Sequence, residues 1–366
     1  MSDAIMAGLF WLGDMRIAYL TFELPDTRTG VGKKILAQGN FWRAAGNQVR
    51  NFVLRAPAFP ALDEVEFLCR RRPGGPMVAA MLSGARIGAA LEAWQPDVIY
   101  ARQMLWWPGA LRALRAAPLI IEYNSIARNE YRSSSKLKYL LEITSSRYFP
   151  RQARGIVAVT PELLATVPAT QAEGIVIGNG YDFAKAVPRA APDNARARLL
   201  LVGSPGQPWL GADKVARMAA LLPEYDFDVV VPGLKLAGPP NLYCHGALFD
   251  ADLAACYAAT DVALGTLALH RKGMAQAAPL KTREYLAYGI PVVGGYDDPD
   301  LDGAAYWLNI GNAEDNIDRN IENIRNFVTQ WRGRLPDRGD IESRLGFSGK
   351  ECARLDFFER VRQHAG

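Results

Sequence analysis

Cysteine is scarce in this sequence, with four residues in a chain of 366. They lie far apart, and their spacing matches neither the paired ligands of a zinc site nor the dense framework of a disulfide-stabilised secreted domain. A reducing compartment is therefore expected. The four residues are Cys69, Cys244, Cys256 and Cys352.

The sequence also lacks a strong charge of either sign. Its 42 Lys and Arg stand against 38 Asp and Glu, which leaves a net charge of +4. This mild excess suits an anionic ligand or a membrane surface. It does not provide the clustered basic charge of a nucleic-acid binder, so no nucleic-acid partner is expected.

No convincing membrane span or secretion signal opens the chain. The apolar run Ala4–Leu12 is too short to cross a bilayer, follows Asp3 and has no basic segment before it. Residues 1–14 are expected to be a flexible extension or the result of a mis-assigned start. We expect a cytoplasmic protein, either free or peripheral on the inner face of the membrane.

Short apolar runs alternating with helical segments are abundant. Arg16–Phe22 is typical of a buried strand, a glycine turn starting at Gly30 opens a helix to about Ala45, and Asn47–Leu54 is the next strand. This order predicts a doubly wound α/β domain whose turn lies at the ligand-binding edge of the sheet. Further strands are expected at Gln95–Ala101, Pro118–Tyr123, Ile156–Thr160 and from Gly174, with a helix at about Pro108–Ala116.

The glycine turn matches neither of two familiar phosphate-binding motifs. A P-loop needs a glycine where Thr27 stands, and a dinucleotide fingerprint needs one where Ile35 stands. The turn therefore predicts only a weak site at which the backbone of Gly30 and Gly32, with Lys33 beside them, approaches a phosphate or sugar.

The second half of the chain repeats the pattern. Strands are expected at Arg198–Gly203, Phe227–Pro232 and Asp261–Gly265, each connected through a loop or helix, after a linker rich in Ala and Pro. The sequence thus predicts two Rossmann-like parallel-sheet domains facing across a cleft. Their expected bounds are residues 1–185 and 195–348, with a hinge near 182–194 and a C-terminal amphipathic helix over 349–366.

The most informative stretch is Pro279–Val293. Pro279 suits a helix start, Gly289 suits its end, and a short buried strand follows. Lys281 and Glu284 stand three residues apart on one face near the helix start, where an ammonium and free N–H groups suit a phosphate and a carboxylate suits ribose hydroxyls. An ordinary surface ion pair on an αβ unit is the alternative, and spacing alone does not decide between them.

The stretch Lys-x-x-Glu-Tyr-Leu-Ala-x-Gly-x-Pro-Val-Val resembles the nucleotide-sugar motif of retaining GT-B glycosyltransferases of the group 1, or family-four, type. In that family the glutamate matching Glu284 holds the donor ribose, and the basic residue and the helix start face the diphosphate. The resemblance also implies that a C-terminal helix crosses back to the first domain.

The resemblance extends to residues outside the motif. It implies a catalytic set of Lys281, Glu284, Glu122 and Asn124, and an acceptor side of Arg102, Trp106 and Asn124. For Asn124, loop capping is an equally good alternative. Together with the placement of the loops, the resemblance implies this donor-binding set: Gly30, Gly32, Lys33, Gly203, Ser204, Trp209, Gly211, Arg271, Lys272, Gln276, Leu280, Lys281, Thr282 and Glu284.

The sequence departs from the family pattern at two positions. Gln276 stands where a second glutamate is usual, and the loop at Gly203-Ser204 lacks the usual Arg/Lys pair, leaving Trp209 and Lys214 as the nearest candidates. These departures bear on the identity of the donor and on the retaining assignment.

Two short patterns bear on metal binding and membrane binding. Asp-x-Asp occurs at 226/228, 250/252, 298/300 and 300/302, but none follows the strand that a metal-dependent enzyme would require, so no metal is expected. Trp106-Trp107 with Arg112 and Arg115 would suit a membrane-facing helix, although core packing of the tryptophans is the commoner explanation.

The resemblance, taken with these patterns, implies a metal-independent hexosyltransferase-like enzyme of cell-surface polysaccharide or glycoconjugate synthesis. It would move a sugar from a nucleoside-diphosphate sugar to a hydroxyl of a glycan or lipid-linked acceptor, with no cofactor besides this substrate. One alternative is a nucleotide-sugar 2-epimerase of the same fold, for which three histidines offer little acid–base chemistry. Another is a non-catalytic subunit that binds sugar nucleotides.

Overall fold

The computed structural model describes residues 13–26, 29–57 and 64–364, so most of the N-terminal leader lies outside the described residues. The chain forms two compact units. The first contains the chain up to Ile177 and again from Ser348, and the second is Gly178–Phe347. Residues 178–185, predicted in the first domain, belong to the second unit.

The first unit is built on a parallel sheet with strand order β3-β2-β1-β4-β5-β6-β7. Most of its strands are short apolar runs buried on both faces, as expected where helices cover a parallel sheet. The strands are β1 (Arg16–Thr21), β2 (Gln48–Val53), β3 (Val65–Phe67), β4 (Val98–Arg102), β5 (Leu119–Tyr123), β6 (Gly155–Ala158) and β7 (Glu173–Val176).

Helices connect these strands, and the first is the longest of this series. Thr29 accepts a hydrogen bond from the Gly32 amide at its start, and Gly46 follows its end with a φ of 91°. The helices are α1 (Gly30–Ala44), α2 (Gly75–Leu82), α3 (Gly84–Trp94), α4 (Ala110–Ala113), α5 (Ala127–Ser134), α6 (Lys136–Ser145), α7 (Tyr148–Gln152) and α8 (Pro161–Thr166). The helix expected over about 108–116 is only the single turn α4.

The second unit repeats the architecture with strand order β10-β9-β8-β11-β12-β13, again all parallel. The order reverses between β8 and β11, which is where ligands bind in open α/β sheets. Its strands are β8 (Arg198–Val202), β9 (Asp226–Val230), β10 (Leu242–Cys244), β11 (Val262–Leu264), β12 (Val292–Gly294) and β13 (Trp307–Asn309). Its helices are α9 (Ala212–Leu221), α10 (Asp250–Ala259), α11 (Leu280–Ala287), α12 (Asn316–Trp331) and α13 (Arg338–Leu345).

The last helix, α14 (Phe347–Gln363), packs into the core of the first unit. Phe358 is fully buried against Trp42 and Tyr100, with ring centroids 5.3 and 4.9 Å apart. Across the ranges that the structure describes, no helix is both long and apolar enough to cross a membrane. The predicted fold class of two doubly wound parallel-sheet domains is confirmed.

Candidate functional site

Helix α11 begins beside the point where the strand order of the second unit reverses. Its inner face is apolar, because Tyr285 and Leu286 are buried, and Gly289 ends it with a φ of 72°. The Tyr285 hydroxyl lies 2.8 Å from the Val202 amide nitrogen, so the helix is fastened to the last residue of β8. The predicted helix and its end are confirmed.

Lys281 reaches the same strand end. Its Nζ donates to the Val202 carbonyl at 3.3 Å, and burial lowers the pKa of the ammonium from 10.5 to about 7. No carboxylate within the described part of the chain pairs with it, so the surface ion pair that spacing alone allowed does not form. A cation kept in a desolvated place without a counter-charge is suited to an anionic ligand, whose charge would stabilise the ammonium.

Glu284 has a different neighbourhood. It is half-buried, and its carboxylate adds to the effect of burial in raising the pKa of Tyr181, Tyr257, Tyr285 and Tyr288. The two residues of the motif therefore contact different parts of the second unit, Lys281 the end of β8 and Glu284 a group of tyrosines. Tyr257 and Tyr285 are core residues, whereas Tyr181 and Tyr288 are half-buried like Glu284 itself.

Arg283, between these two, was not singled out from the sequence. It is fully buried and donates to Asp298, to Asp300 at 2.8 Å and to the Asn179 carbonyl at 3.1 Å. The Asn179 side chain in turn donates to the Ala278 carbonyl at 2.6 Å. These bonds fix the start of α11 to two loops, and they give the Asp298/Asp300 pair a structural partner. The signal available in sequence was an arginine in the middle of a helix with a buried face.

The loop before α11 is more heavily paired than the sequence suggests. Arg271 was expected to face a diphosphate, but its guanidinium donates to both oxygens of Asp213 at 2.8 Å and also to Glu314. His270 lies 2.7 Å from Glu314 as well. These carboxylates, through their hydrogen bonds, raise the pKa of Arg271. As placed here, Arg271 ties the loop to α9 and to the residues before α12.

The Trp209 ring, in the loop between β8 and α9, contacts a lysine of the loop before α11. The Lys272 ammonium lies 4.9 Å from the ring centroid, a cation–π contact that joins two residues of the expected donor set. Lys214, the other basic candidate, is buried and donates to the carbonyls of Leu267 and Ala313 and to Asn316. It is a structural lysine with its donors satisfied.

The remaining residues of the expected donor set divide by burial. Thr282 is fully buried with its hydroxyl 2.8 Å from that of Tyr296, so its side chain contacts the core and not the ligand-binding edge. Gly211 is also buried, and a Cβ there would lie 2.8 Å from that of Leu267, which explains the glycine structurally. Ser204 is exposed, whereas Gly203, Gln276 and Leu280 are half-buried.

The first unit has its own charged cluster at the carboxyl ends of β4 and β5. Glu122 is fully buried and lies 2.7 Å from Lys34 Nζ, 3.1 Å from Arg102 and 3.5 Å from Arg354. Burial acts to raise the pKa of Glu122, but the three cations outweigh it and hold the pKa far below its ordinary value. Glu122 is therefore ionised and fully engaged, and it organises cations instead of acting as a free base.

Lys34, not Lys33, belongs to this cluster. The helix period turns Lys33 to solvent and buries Lys34, whose ammonium also donates to Asn124 at 3.2 Å. Burial lowers the pKa of Lys34 to about 8 in spite of the Glu122 carboxylate. Lys33 is exposed, and its predicted place beside the donor stays a prediction, whereas the sequence analysis did not single out Lys34 because the turn was read by motif and not by helical phase.

Side chains of the preceding loop already form hydrogen bonds at the start of α1. Thr29 Oγ1 accepts from the Gly32 amide at 2.9 Å, and Asp26 accepts from the Thr29 amide at 3.3 Å. A Cβ on Gly32 would lie 2.5 Å from the Asp26 carbonyl oxygen, so glycine is required for the loop to fold over the helix. The same loop supplies negative charge where an anion was expected to bind.

Next to this cluster a pair of adjoining pockets opens beside α6, and both are lined by Gln103, Tyr123 and Glu142. Trp106, expected on the acceptor side, lines the first of them and stacks on Tyr148 with centroids 5.0 Å apart. Its neighbour Trp107 is fully buried, as core packing predicts, and so is not a membrane-facing residue. Arg102 lines the same pocket.

In residues 13–26, 29–57 and 64–364 no group of three or more His, Cys, Asp or Glu side chains is arranged to hold a metal ion. Besides the 298/300 pair, the Asp228 carboxylate of the 226/228 pair binds Arg198 at 2.9 Å and His245 at 2.7 Å.

Comparison with known proteins shows the fold. No protein-family model and no curated protein sequence matches the chain. Among solved structures, HepE from Anabaena in complex with UDP and glucose shares 16% identity, with a TM-score of 0.64 over 94% of this chain and 100% of its own. A glycosyltransferase from Rickettsia africae ESF-5 shares 12%, with a TM-score of 0.64 over 95% of this chain and 98% of its own.

A third match is the lipopolysaccharide outer core galactosyltransferase WaaB in its apo form. It shares 13% identity, with a TM-score of 0.61 over 94% of this chain and 100% of its own. At these identities the likeness establishes the architecture only. The chain has the GT-B fold.

Proposed function

We propose that this chain is a glycosyltransferase, of the retaining group 1 type, that moves a sugar from a nucleoside-diphosphate sugar to a hydroxyl of a glycan or lipid-linked acceptor. The observation that carries the proposal is Lys281. It is a desolvated ammonium with a pKa of about 7, held at the strand end where the sheet order reverses, beside a helix start. Cell-surface polysaccharide or glycoconjugate synthesis is the setting in which such a donor and acceptor meet.

The residues of α11 divide the work of donor binding. The diphosphate lies at Lys281 and the first amides of the helix, and the ribose hydroxyls bond to Glu284. Arg283 does not touch the donor; it fixes the helix start through Asp298, Asp300 and Asn179. This arrangement places the cation before the donor arrives, so little reorganisation accompanies the reaction.

Charge develops on the diphosphate as the bond from the sugar to its oxygen breaks, while the acceptor oxygen forms the new bond and its hydroxyl proton passes to the departing phosphate oxygen. Lys281 then stabilises the leaving group more strongly than it stabilised the bound donor. The protein's own cations serve this role, and we propose that no metal ion is needed. In the first unit, Glu122 holds Lys34 and Arg102 in place, with Asn124 available to a hydroxyl.

Calorimetric titration with UDP tests donor binding, because UDP is the nucleotide bound by HepE, whose fold is similar. Lys281→Ala and Glu284→Gln are each expected to weaken binding, Glu284→Gln by about 1.5–3 kcal/mol for charge-assisted bonds. In single-turnover assays with a nucleoside-diphosphate sugar, Lys281→Ala should lower the rate more than it weakens binding. Lys185→Ala and Glu322→Gln, at exposed positions, are the matched controls.

Proton uptake gives a second test of the same site. At pH 8 most Lys281 side chains are neutral, so binding of a diphosphate should take up a proton as the ammonium forms. Titrations in two buffers of different ionisation enthalpy measure this uptake, and Lys281→Ala should abolish it. If ADP-, GDP-, dTDP- and UDP-sugars all fail to bind, the proposal is wrong. Hydrolysis of the donor in the absence of an acceptor distinguishes the two classes of protein, because an enzyme releases the sugar and a non-catalytic binding subunit does not.

A further inference from the structure

Helix α6 has its apolar side chains on the outside. Leu137, Leu140 and Ile143 are 67%, 56% and 46% exposed, whereas Glu142 and Ser145 on the opposite side are only 7% and 4% exposed. A surface helix of a water-soluble unit has the reverse arrangement. The outer face of α6, which Leu141 completes at 37% exposure, is an apolar patch on a helix with a polar inner face.

The surroundings of this patch are basic. Residues 126–155 contain seven Lys and Arg and two Asp and Glu, an excess of five positive charges in a protein whose net charge is only +4. All seven side chains are exposed. Exposed leucines within a basic surround match an anionic lipid surface, into which apolar side chains insert while cations remain at the head groups. The seven are Arg128, Arg132, Lys136, Lys138, Arg147, Arg151 and Arg154.

The inner face of α6 lines the two pockets beside it. Glu142 borders both, and in the described part of the chain its carboxylate has no hydrogen-bond or ion-pair partner, although the more distant charge of Arg128 acts on it. The indole N–H of Trp106, in the first pocket, is likewise buried without a partner among the described residues. An aromatic wall with an unused donor and an unused carboxylate suits a ring that carries hydroxyl groups.

We infer that α6 rests on an anionic membrane and that the pocket beneath it receives the hydroxylated head group of a lipid-borne acceptor. The two faces of one ten-residue helix then do complementary things: Leu137 and Leu140 enter the lipid, and Glu142 binds the head group that the lipid carries. The inference rests on the proposed glycosyl transfer, and it selects the lipid-linked acceptor over a free glycan.

Vesicle sedimentation tests the membrane contact without any catalysis. The full chain should bind vesicles of phosphatidylglycerol and phosphatidylcholine mixed at about 1:2. It should bind vesicles of pure phosphatidylcholine at least about tenfold more weakly, because the basic side chains then have no anionic head groups to contact. Leu137→Ser with Leu140→Ser should lower binding to the anionic vesicles about tenfold or more. Phe249→Ser, at a position 70% exposed in the second unit, is the matched control and should bind like the wild type.

Two outcomes would overturn the membrane contact. One is equal sedimentation of the wild type and the double variant. The other is a wild type that is dimeric by light scattering while the double variant is monomeric, which would assign the patch to a second copy of the chain. Circular dichroism of the double variant checks that it folds, and substitutions at exposed positions are not expected to affect this.

Octyl glycosides of glucose, galactose and N-acetylglucosamine, below their micelle concentrations, probe the pocket through tryptophan fluorescence. At least one should bind more tightly than its methyl glycoside, and Glu142→Gln should weaken that binding about tenfold while the exposed Glu92→Gln does not. Absence of binding by all three, or equal binding by Glu142→Gln, would exclude the head-group role. UDP titration of the same variants should be unchanged, so failure of donor binding and failure of this inference are seen separately.

Discussion

At the scale of single residues, Lys281 combines a proposed role in binding with a cost in stability. Its pKa falls from 10.5 unfolded to about 7 folded because burial disfavours the ammonium. Between these values the unfolded chain holds a proton that the folded chain does not, so stability rises with pH across the window from about 7 to 10.5. Below pH 7 Lys281 is protonated in both the folded and the unfolded chain, so the full cost of burying the ammonium lowers the stability of the folded chain.

Lys281→Met is therefore expected to stabilise the second unit at pH 6 and to abolish UDP binding. The gain should be about 1–3 kcal/mol, since the side chain is half-buried and part of the cost is screened by solvent. Urea unfolding at pH 6, 8 and 10 measures it, and the difference between variant and wild type should shrink as the pH rises. Lys185→Met provides the control, and a difference that does not depend on pH would refute the assignment.

Arg283 stabilises the folded chain, whereas burial of Lys281 destabilises it. Arg283 and Asp298 are both fully buried, so removal of the arginine takes the neutralising charge from a buried carboxylate. Arg283→Met should lower the free energy of unfolding by about 3–5 kcal/mol. Arg319→Met, which breaks an exposed pair with Asp315, should change it by less than about 1 kcal/mol. Partial recovery on adding Asp298→Asn to Arg283→Met would show that the unpaired charge is the cause, and chemical denaturation measures all of these.

At the scale of elements, the start of α1 depends on one glycine. A side chain on Gly32 would meet the Asp26 carbonyl oxygen at 2.5 Å, so Gly32→Ala must displace either the loop or the helix. A loss of about 1–3 kcal/mol is expected by thermal unfolding. Gly349→Ala is the matched control, because it also lies near a helix start and its Cβ meets nothing within 4 Å; it should be neutral or stabilising. Equal effects would mean that the loop moves freely.

The sequence predicted the helices that have strong local signals, and it did not predict helices that lack such signals. Helices α1 and α11 have a cap or proline at one end, a glycine at the other and a regular buried face, so their bounds were predicted within a residue or two. Helices α5 to α7 were not predicted. In α6 the apolar side chains face outward, so the pattern that identifies a packed helix is reversed there.

The candidate site was predictable to the same degree. That Lys281 lies at the end of β8 follows from chain order and the edge rule for parallel sheets. The pairing of Arg271 with Asp213 and Glu314, and of Arg283 with Asp298, depends on how close distant loops come in the folded chain. The spacing of residues along the sequence does not indicate how close these loops lie in the folded chain.

At the scale of the whole molecule, the first unit depends on its returning helix. Phe358 is fully buried against Trp42 and Tyr100, and Phe358→Ala should cost about 3–5 kcal/mol. Scanning calorimetry should show the transition of the first unit at a lower temperature, with that of the second unit unchanged. Phe249→Ala, exposed on the second unit, should move neither, and an equal shift of both transitions would mean that the units unfold together.

The return of α14 also fixes an order of events on the ribosome. The first unit is interrupted between Ile177 and Ser348, and the helix that completes its core is translated after the entire second unit. We therefore expect the usual order, in which the earlier domain folds first during synthesis, to be reversed. The second unit is fully translated while the core of the first around Trp42 and Tyr100 still lacks its last helix, and we expect that aromatic surface to be the part of the nascent chain that chaperones bind.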